Sequence, residues 1–361
     1  MYSVMEASLA GMTQSRARSH RVRDIAEQSG LSEATIDRVL HGRPGASARA
    51  VRAVEQAVLD LDRQQSQLRL AARTLLLDVV IQAPSRFSTA VRSALEDELP
   101  ALRPAAVRAR FHLRENADVA AAVEVLDGLG RRGRVCHGVV LKAPDDPAVA
   151  SAVDRLAARG IPVVTLVTDV RDSARVAYVG LDNAAAGATA AYLVTQVLGD
   201  RPGDVLLTLS RSFFFGEQER AEAFTSALSR LAPGRLIHRI TDSDGLDATM
   251  GALVADLVTE QPRVAAVYSV GGGNRAISRA LTDAGLPPRV FIGHDLDEDN
   301  LELLRSGVLT AVLDHDLHAD MRNGVRQLMR AHRLVPGAPT SVAANVELVT
   351  AYNIPPRIHA H

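Results

Sequence analysis

The feature that most constrains the fold is an alternation of short apolar stretches with longer amphipathic ones, which starts at Leu76 and fills most of the chain. The apolar stretches, which we predict to be strands, are LLLDVVIQAP, VCHGVVLKAP, IPVVTLVTD, VAYVGLD, DVLLTLS, VAAVYSV, RVFIGHD and LTAVLDHD. Between them, segments such as 89–99, 148–159 and 183–198 have the apolar spacing of helices. Near-continuous apolar strands that alternate with helices imply parallel sheets covered on both faces. The sequence therefore predicts an α/β body, 76–361, of two Rossmann-like lobes.

Polar side chains stand where many of these strands end. They are Gln82, Lys142, Asp169, Asp182, Ser210, Asn274, Asp295, Asp314 and His315. In open α/β sheets the ligand crevice lies at the carboxyl ends of the strands. Carboxylates, amides and a basic group at one crevice suit hydrogen bonding to a small polyhydroxylated ligand. The alternative for any one position is that strand ends are polar because they are exposed.

The N-terminal part has a different pattern, that of short helices packed around a glycine. In DIAEQSGLSEATIDRVLHGRP, Gly30 permits the positive φ of a tight turn between two helices. Ser32 can cap the second helix and Ser47 a third. We predict a disordered leader over 1–19, a helix-turn-helix head over 20–63 and a hinge over 64–75.

Charge separates this head from the body. From Arg16 to Arg73 the chain has eleven arginines and seven acidic residues, although its formal net charge is −1. A basic head on an acidic body is typical of a DNA-docking domain attached to a soluble sensor. The alternative is a solvated helical face with extra arginine.

The stretch RVRDIAEQSGLSEATIDRVLHGRPGASARAVRAVEQAVLDL resembles the head of the LacI family of transcriptional regulators. The matching elements are D-I-A at 24–26, G-L-S at 30–32, A-T-x-x-R-V-L at 34–40 and the serine that opens the third helix. The resemblance implies that the second helix enters the major groove of DNA. The DNA contacts that it implies are Ser32, Glu33, Ala34, Thr35, Arg38, His41 and Ser47. Arg38 can pair with guanine and Glu33 can accept from cytosine.

The body resembles the type I periplasmic-binding-protein fold, the effector domain of LacI-type regulators, most closely in LKAPDDPAVASAVDRLAARGIPVVTLVTD and YVGLDNAAAGATAAYLV. The resemblance implies an N-lobe of 76–182 and 315–342, and a C-lobe of 183–314 and 343–361. The ligand contacts that it implies are Phe87, Lys142, Thr168, Asp169, Asp182, Arg220, Asn274, Asp295 and His315. Val167 and Thr168 stand where sugar binders often have Asp-Arg, which argues against a simple pentose or hexose.

The hinge departs from the family. LDRQQSQLRLAARTL contains neither the aromatic residue nor the Pro-Asn pair that the family usually has there. Glutamine, leucine, arginine and alanine are good helix formers, so a hinge helix is expected over 65–73. Leu68, Leu70 or another leucine would enter the minor groove, and a plain linker helix is the alternative.

Other readings compete for parts of the body. Gly271–Ala276 has the spacing of a dinucleotide-binding loop and Asp295 follows about twenty residues on, so an NAD-dependent oxidoreductase is one alternative. A transport-type solute-binding protein is another. The stretch DHDLHAD places four metal-ligating side chains close together in the sequence, Asp314, His315, Asp316 and His318. A metal site is not expected there, because the side chains of one strand-to-helix turn cannot all point at one ion.

These observations predict a ligand-responsive DNA-binding regulator, expected to be a repressor, rather than an enzyme. A single cysteine, Cys136, in a predicted buried strand, fits a reducing compartment, and we expect a cytoplasmic protein with no membrane partner. The expected partners are near-palindromic operator DNA, a sugar, polyol or sugar acid, and a second copy of the chain in a homodimer or tetramer. No cofactor and no metal are expected.

Overall fold

The described backbone consists of three N-terminal helices followed by two six-stranded sheets with their covering helices. The computed structural model describes residues 20–71, 74–116, 118–211, 214–243, 245–260 and 263–355, with backbone alone over 63–71. The predicted leader, 1–19, lies outside these residues. The chain divides into a head unit, Met1–Thr74 with Arg103–Ala106, and a body unit, Leu75–Leu102 with Val107–His361.

The three helices of the head unit are α1 (Val22–Ser29), α2 (Glu33–Leu40) and α3 (Ala48–Ala71). Gly30 ends α1 with a φ of 69°, and its N–H donates to the Ala26 carbonyl. The Ser32 hydroxyl caps α2 by accepting from the Thr35 N–H at 3.3 Å. Their apolar faces form one small core, made of Ile25, Ile36, Val54, Ala57 and Val58.

The predicted hinge helix over 65–73 is not a separate element. The third helix continues without a break from Ala48 to Ala71, so the predicted boundary at 63–64 falls inside α3. The physical reason is local, because this stretch has no proline or glycine and is rich in strong helix formers. Residues 72–73 and the side chains of Leu68 and Leu70 lie outside the described part.

The body unit follows with regular alternation. In chain order its elements are β1 (Thr74–Gln82), α4 (Ser85–Glu98), β2 (Ala106–Arg114), α5 (Val119–Gly128), β3 (Gly138–Lys142), α6 (Pro147–Ala158), β4 (Val163–Leu166), β5 (Ala177–Leu181), α7 (Asn183–Leu198), β6 (Asp204–Thr208), α8 (Phe215–Leu231), β7 (Ile237–Ile240), α9 (Asp247–Glu260), β8 (Val264–Ser269), α10 (Asn274–Asp283), β9 (Val290–His294), α11 (Glu298–Arg305), β10 (Ala311–Asp314), α12 (Leu317–Ala331), β11 (Val342–Ala344) and β12 (Glu347–Val349). A short 3₁₀ helix, Leu99–Ala101, follows α4.

Two sheets build two lobes, as predicted. The N-lobe sheet has the order β11-β5-β4-β3-β1-β2, and the C-lobe sheet has the order β12-β10-β9-β8-β6-β7. The central strands β3, β6 and β9 are buried along their whole length, as strands covered on both faces must be. The antiparallel pairing of β12 with β10 closes one edge of the C-lobe sheet.

The structure corrects one lobe boundary. We predicted that the chain returns to the C-lobe at residue 343, but Val342 pairs with Val179 and Ala344 pairs with Leu181 in the N-lobe sheet. The return therefore falls between Ala344 and Glu347. A three-residue edge strand is too short to leave an alternating apolar pattern in the sequence.

Cys136 precedes β3 rather than lying in a strand, and it is buried as expected. Burial and the neighbouring Asp78 raise the pKa of its thiol to about 12, so the thiol stays protonated and unreactive at neutral pH. In the part of the chain that the structure describes, no helix is long and apolar enough to span a membrane.

Candidate functional site

The strands of both lobes point their carboxyl ends at one cleft of about 990 Å³. The N-lobe contributes Lys142 at the end of β3 and Thr168 beyond β4, and the C-lobe contributes Ser210 after β6 and Asp295 after β9. Parallel α/β sheets place their ligands at this edge, because loops and helix N-termini there are free to face a small molecule. The cleft is therefore the candidate ligand site.

The two lobes contact each other across this cleft. Arg86 of α4 in the N-lobe donates to the Gly245 carbonyl at 3.1 Å, and its Nε lies 3.1 Å from Asp297 Oδ2 in the C-lobe. The N–H of Gly216 in the C-lobe donates to the Thr168 hydroxyl at 3.1 Å. Burial raises the pKa of Asp297 to about 6, although Arg86 opposes that shift. These contacts describe a closed arrangement of the lobes.

An ion chain forms the floor of the cleft. His315 Nδ1 lies 2.5 Å from Asp320 Oδ2, and Nε2 lies 3.5 Å from Asp295 Oδ1. Although burial opposes protonation, the hydrogen bond to Asp320 and the charges of Asp295 and Asp320 raise the pKa of His315 to about 10. The imidazole is thus a cation at neutral pH. Burial opposes ionisation of Asp295, but the nearby charge of His315 keeps the pKa of this carboxyl below its ordinary value.

Several cleft-lining residues carry buried polar atoms that have no hydrogen-bond partner among the described residues. They are Asn274 Oδ1, His294 Nδ1, Asp295 Oδ1 and His315 Nε2, of which the last two lie 3.5 Å apart. Leaving buried polar atoms unpaired costs free energy, so native sites rarely do it unless a ligand or water pairs with them. Two of these atoms are acceptors, which suits a ligand that presents hydroxyl groups.

The aromatic part of the cleft surrounds a lysine. The Lys142 ammonium lies 5.5 Å from the centroid of the Phe87 ring and 4.0 Å from that of Phe214. It donates to the Gln82 carbonyl at 3.4 Å. Burial lowers the pKa of Lys142 to about 8. Arg220 of α8 is also buried in the cleft, and its Nε donates to Asn183 Oδ1 at 2.7 Å.

The structure brings together seven of the nine predicted ligand residues as lining of the cleft, namely Phe87, Lys142, Thr168, Arg220, Asn274, Asp295 and His315. Asp169 and Asp182 are not among them. Asp169 turns away into a two-pronged ion pair with Arg175 and accepts from the Thr165 hydroxyl at 2.7 Å. Asp182 caps α7 by accepting from the Ala185 N–H at 2.9 Å, and it is exposed.

Sequence reasoning missed several lining residues, chiefly Arg86, Phe214, Glu217, His294 and Asp297. Phe214 had a signal, because an aromatic run directly after the strand DVLLTLS falls at the predicted crevice. No sequence pattern pointed to Arg86, because its contacts are with residues of the opposite lobe. His294 lay inside the predicted strand RVFIGHD, where it could be taken for a core residue.

The glycines of the dinucleotide-like loop are explained by packing within the protein. A Cβ at Gly271 would lie 2.0 Å from the Ser210 nitrogen, and one at Gly272 would lie 1.9 Å from Arg86 Nη2. Gly273 has a φ of 79° and would meet Met250. The loop therefore needs glycine to admit protein neighbours, so its spacing is no argument for a nucleotide.

The polar residues of DHDLHAD point to different partners. Asp314 accepts from the Leu296 N–H, Asp316 caps α12, and His318 lies 3.2 Å from Asp97. Within the described residues, no group of three or more histidine, cysteine or carboxylate side chains has the geometry of a metal site.

In the head unit, Glu33 and Ala34 are exposed on α2 and Arg38 is half-buried one turn later. Thr35 lies between them, with its hydroxyl 2.9 Å from that of Ser32. Ser47 caps α3 by accepting from the Ala50 N–H at 3.2 Å. The His41 ring is within 2.9 Å of the Asp37 carbonyl oxygen.

Comparison with protein families matches residues 79–333 to the periplasmic binding protein domain. The chain belongs to this family. The matched segment includes most of both lobes and every residue named above as lining the cleft. A search of the curated proteins finds no match.

Solved structures with this fold include a glucose-galactose binding protein, GanP, from Geobacillus stearothermophilus, with 16% identity and a TM-score of 0.70 over 78% of this chain and 99% of that one. A solute-binding protein from Burkholderia graminis in complex with D-arabinose has 18% identity and a TM-score of 0.70 over 78% and 97%. A putative LacI transcriptional regulator from Bacteroides fragilis has 16% identity and a TM-score of 0.65 over 80% and 99%.

Replacing Asp169 tests its assignment to structure rather than to the ligand. Asp169→Ala leaves the Arg175 guanidinium without its acceptor and removes the nearer of two acceptors of the buried Thr165 hydroxyl, and we expect a loss of about 3 kcal/mol in the free energy of unfolding. Urea denaturation measures this loss, with the exposed Asp172→Ala as the matched control. Unchanged stability would contradict the structural role.

Proposed function

We propose that this protein is a ligand-responsive, DNA-binding transcriptional regulator. The observation that carries the proposal is the joining of a basic three-helix unit, with the sequence pattern of LacI-type heads, to a body of the periplasmic binding protein family. The head-unit helices pack on one small core, which leaves the outer face of α2 free for DNA.

The residues on that face suit a DNA groove. Glu33 and Arg38 lie five residues apart on α2, about 1.4 turns, and the described residues provide no carboxylate within ion-pair distance of Arg38. A free guanidinium can bind guanine in two-pronged fashion, and a carboxylate can accept from the cytosine amino group. Thr35 and Ser47 offer hydroxyls to phosphates, while Ser32, Ala34 and His41 complete the proposed contact set.

The proposed effector is a small polyhydroxylated molecule bound between the lobes. The buried acceptors Asn274 Oδ1 and Asp295 Oδ1 support this, since neither accepts a hydrogen bond from the described residues. The named relatives that bind glucose-galactose and D-arabinose make a sugar-like ligand the natural candidate.

A ligand that contacts both lobes favours the closed arrangement in proportion to its differential affinity for the closed and open states. We propose that two copies of the chain bind a near-palindromic operator, because a two-fold protein requires two-fold DNA. On this proposal the protein is cytoplasmic, and repression is its expected mode.

A transport-type solute-binding protein is the second candidate. The sugar-binding relatives favour it, because their bodies share this fold. Transport explains the cleft equally well, but it gives no use to the basic three-helix unit. Operator selection from random DNA with the full chain separates the two functions, since a transport protein would enrich no sequence.

Arg38→Ala tests base reading. We expect operator affinity to fall by about 1–3 kcal/mol and the preference at one base pair to relax, because the variant loses a two-pronged contact to guanine. Electrophoretic mobility shift with single-base operator variants measures both. Arg52→Ala, an exposed arginine of α3, is the matched control. An equal loss on every sequence would make Arg38 a phosphate contact instead.

Asp295→Asn tests the cleft. The variant keeps the shape of the side chain but removes the charge, and we expect a roughly 10- to 100-fold loss in ligand affinity with operator binding intact. Calorimetric titration of the ligand and mobility shift of the operator measure the two effects. An unaltered ligand response would remove Asp295 from the binding set.

A further inference from the structure

Three carboxylates that line the cleft are already matched by donors or cations of the protein. Glu217 accepts from the Ser210 N–H at 2.7 Å and from the Ser210 hydroxyl at 2.5 Å. Asp295 faces the His315 cation, and Asp297 faces Arg86. Each of these carboxylates thus already has a donor or a cation from the protein.

Lys142 and Arg220 lack such a match. Lys142 donates to a neutral carbonyl at the long distance of 3.4 Å, and Arg220 donates through Nε to a neutral amide oxygen. Among the described residues, no carboxylate lies within ion-pair distance of either side chain, although both are buried. Burying a cation without an anion is costly, and the two aromatic rings near Lys142 compensate for only part of that cost.

The two cations come from opposite lobes and line the same cleft. Lys142 ends β3 of the N-lobe, whereas Arg220 belongs to α8 of the C-lobe. Their charges are near enough for Arg220 to contribute to the lowered pKa of Lys142, against the opposing influence of Glu217 and Asp295. An anion placed between them would therefore pair with both lobes at once and favour closure.

We propose that the ligand of this cleft is a sugar or polyol that carries an acidic group, a carboxylate or a phosphate, and that Lys142 and Arg220 bind this group. The hydroxyls of the same ligand then face Asn274 and Asp295. This inference rests on the proposed ligand-binding role of the cleft, and it does not depend on whether the head binds DNA.

Matched pairs of compounds test the proposal by direct calorimetric titration of the full chain. The pairs are glucose with glucuronate, galactose with galacturonate, and glucose with glucose 6-phosphate. We expect the acid of at least one pair to bind ten-fold or more tightly than its neutral partner. The carboxylate and phosphate arms identify which acidic group fits. Tighter binding of the neutral sugars, or no binding of any acid, overturns the proposal.

Two variants of Lys142 test whether its charge, rather than the fold of the protein, gives the preference for the acid. Lys142→Gln should reduce the acid preference at least ten-fold, whereas Lys142→Arg should retain most of it because the charge remains. Arg279→Gln, which removes an exposed C-lobe charge, should leave the preference unchanged. An acid preference that survives in Lys142→Gln overturns the role of Lys142. Binding in these assays without any operator binding would refute the regulator and leave this proposal standing.

The pH dependence provides a second readout. The groups that act on Lys142 are Glu217, Asp295 and Arg220, and the pKa of Lys142 in the free protein is about 8. The ligand anion needs the ammonium form, so above pH 8 binding must take up a proton. Affinity for the acid should therefore be level from pH 6.5 to 7.5 and fall towards ten-fold per pH unit above 8. A flat profile up to pH 9.5 would contradict the proposed pairing.

Discussion

The cleft depends on the ion chain in which His315 stands between two carboxylates. His315 lies where the chain crosses from β10 of the C-lobe to α12 of the N-lobe, Asp320 belongs to α12, and Asp295 follows β9. A neutral imidazole has one N–H and could serve only one carboxylate, so the cationic form ties the lobes together at the floor of the cleft.

Asn300 extends this support to the proposed ligand contacts. Its amide donates to the carbonyls of His294 and Asp295, at 2.8 and 2.7 Å, and its oxygen accepts from Asn274 at 2.7 Å. Asp295 has a φ of 61°, a left-handed conformation that a residue with a side chain rarely adopts. One buried side chain of α11 thus holds a strained backbone and orients two of the proposed ligand contacts.

The apolar pattern of each strand explains which strands could be predicted from the sequence. The buried strands β3, β6 and β9 leave continuous apolar runs in the sequence, whereas β2 is an edge strand, AVRARFHLR, that is mostly half-exposed. The strand β2 interleaves its apolar residues with three arginines and a histidine, and the edge strands β11 and β12 are three residues long and leave no pattern. Sheet-edge position is a property of the tertiary fold, and no local pattern encodes it.

The same distinction applies to the site. Lys142, Asn274, Asp295 and His315 could be predicted because parallel strands bring their carboxyl ends together. Asp169 stands at a similar place, but Val167 has a φ of 63° and the chain turns there, so the carboxylate meets Arg175. Arg86 and Asn300 could not be predicted, because each acts on residues far away in sequence that only folding brings near.

The connectivity of the chain also limits how a ligand could control DNA. The third helix runs unbroken to Ala71 and the strand β1 of the N-lobe sheet begins at Thr74, so the head unit is attached to the N-lobe. On the proposed function, a ligand that closes the cleft moves the C-lobe relative to the N-lobe, and within one chain that motion does not have to reach the head. A ligand signal would reach the head more directly through a second copy whose position depends on the C-lobe. The proposed dimer would then be part of the proposed switch, because a monomer of this connectivity could bind its ligand and leave its own head unchanged.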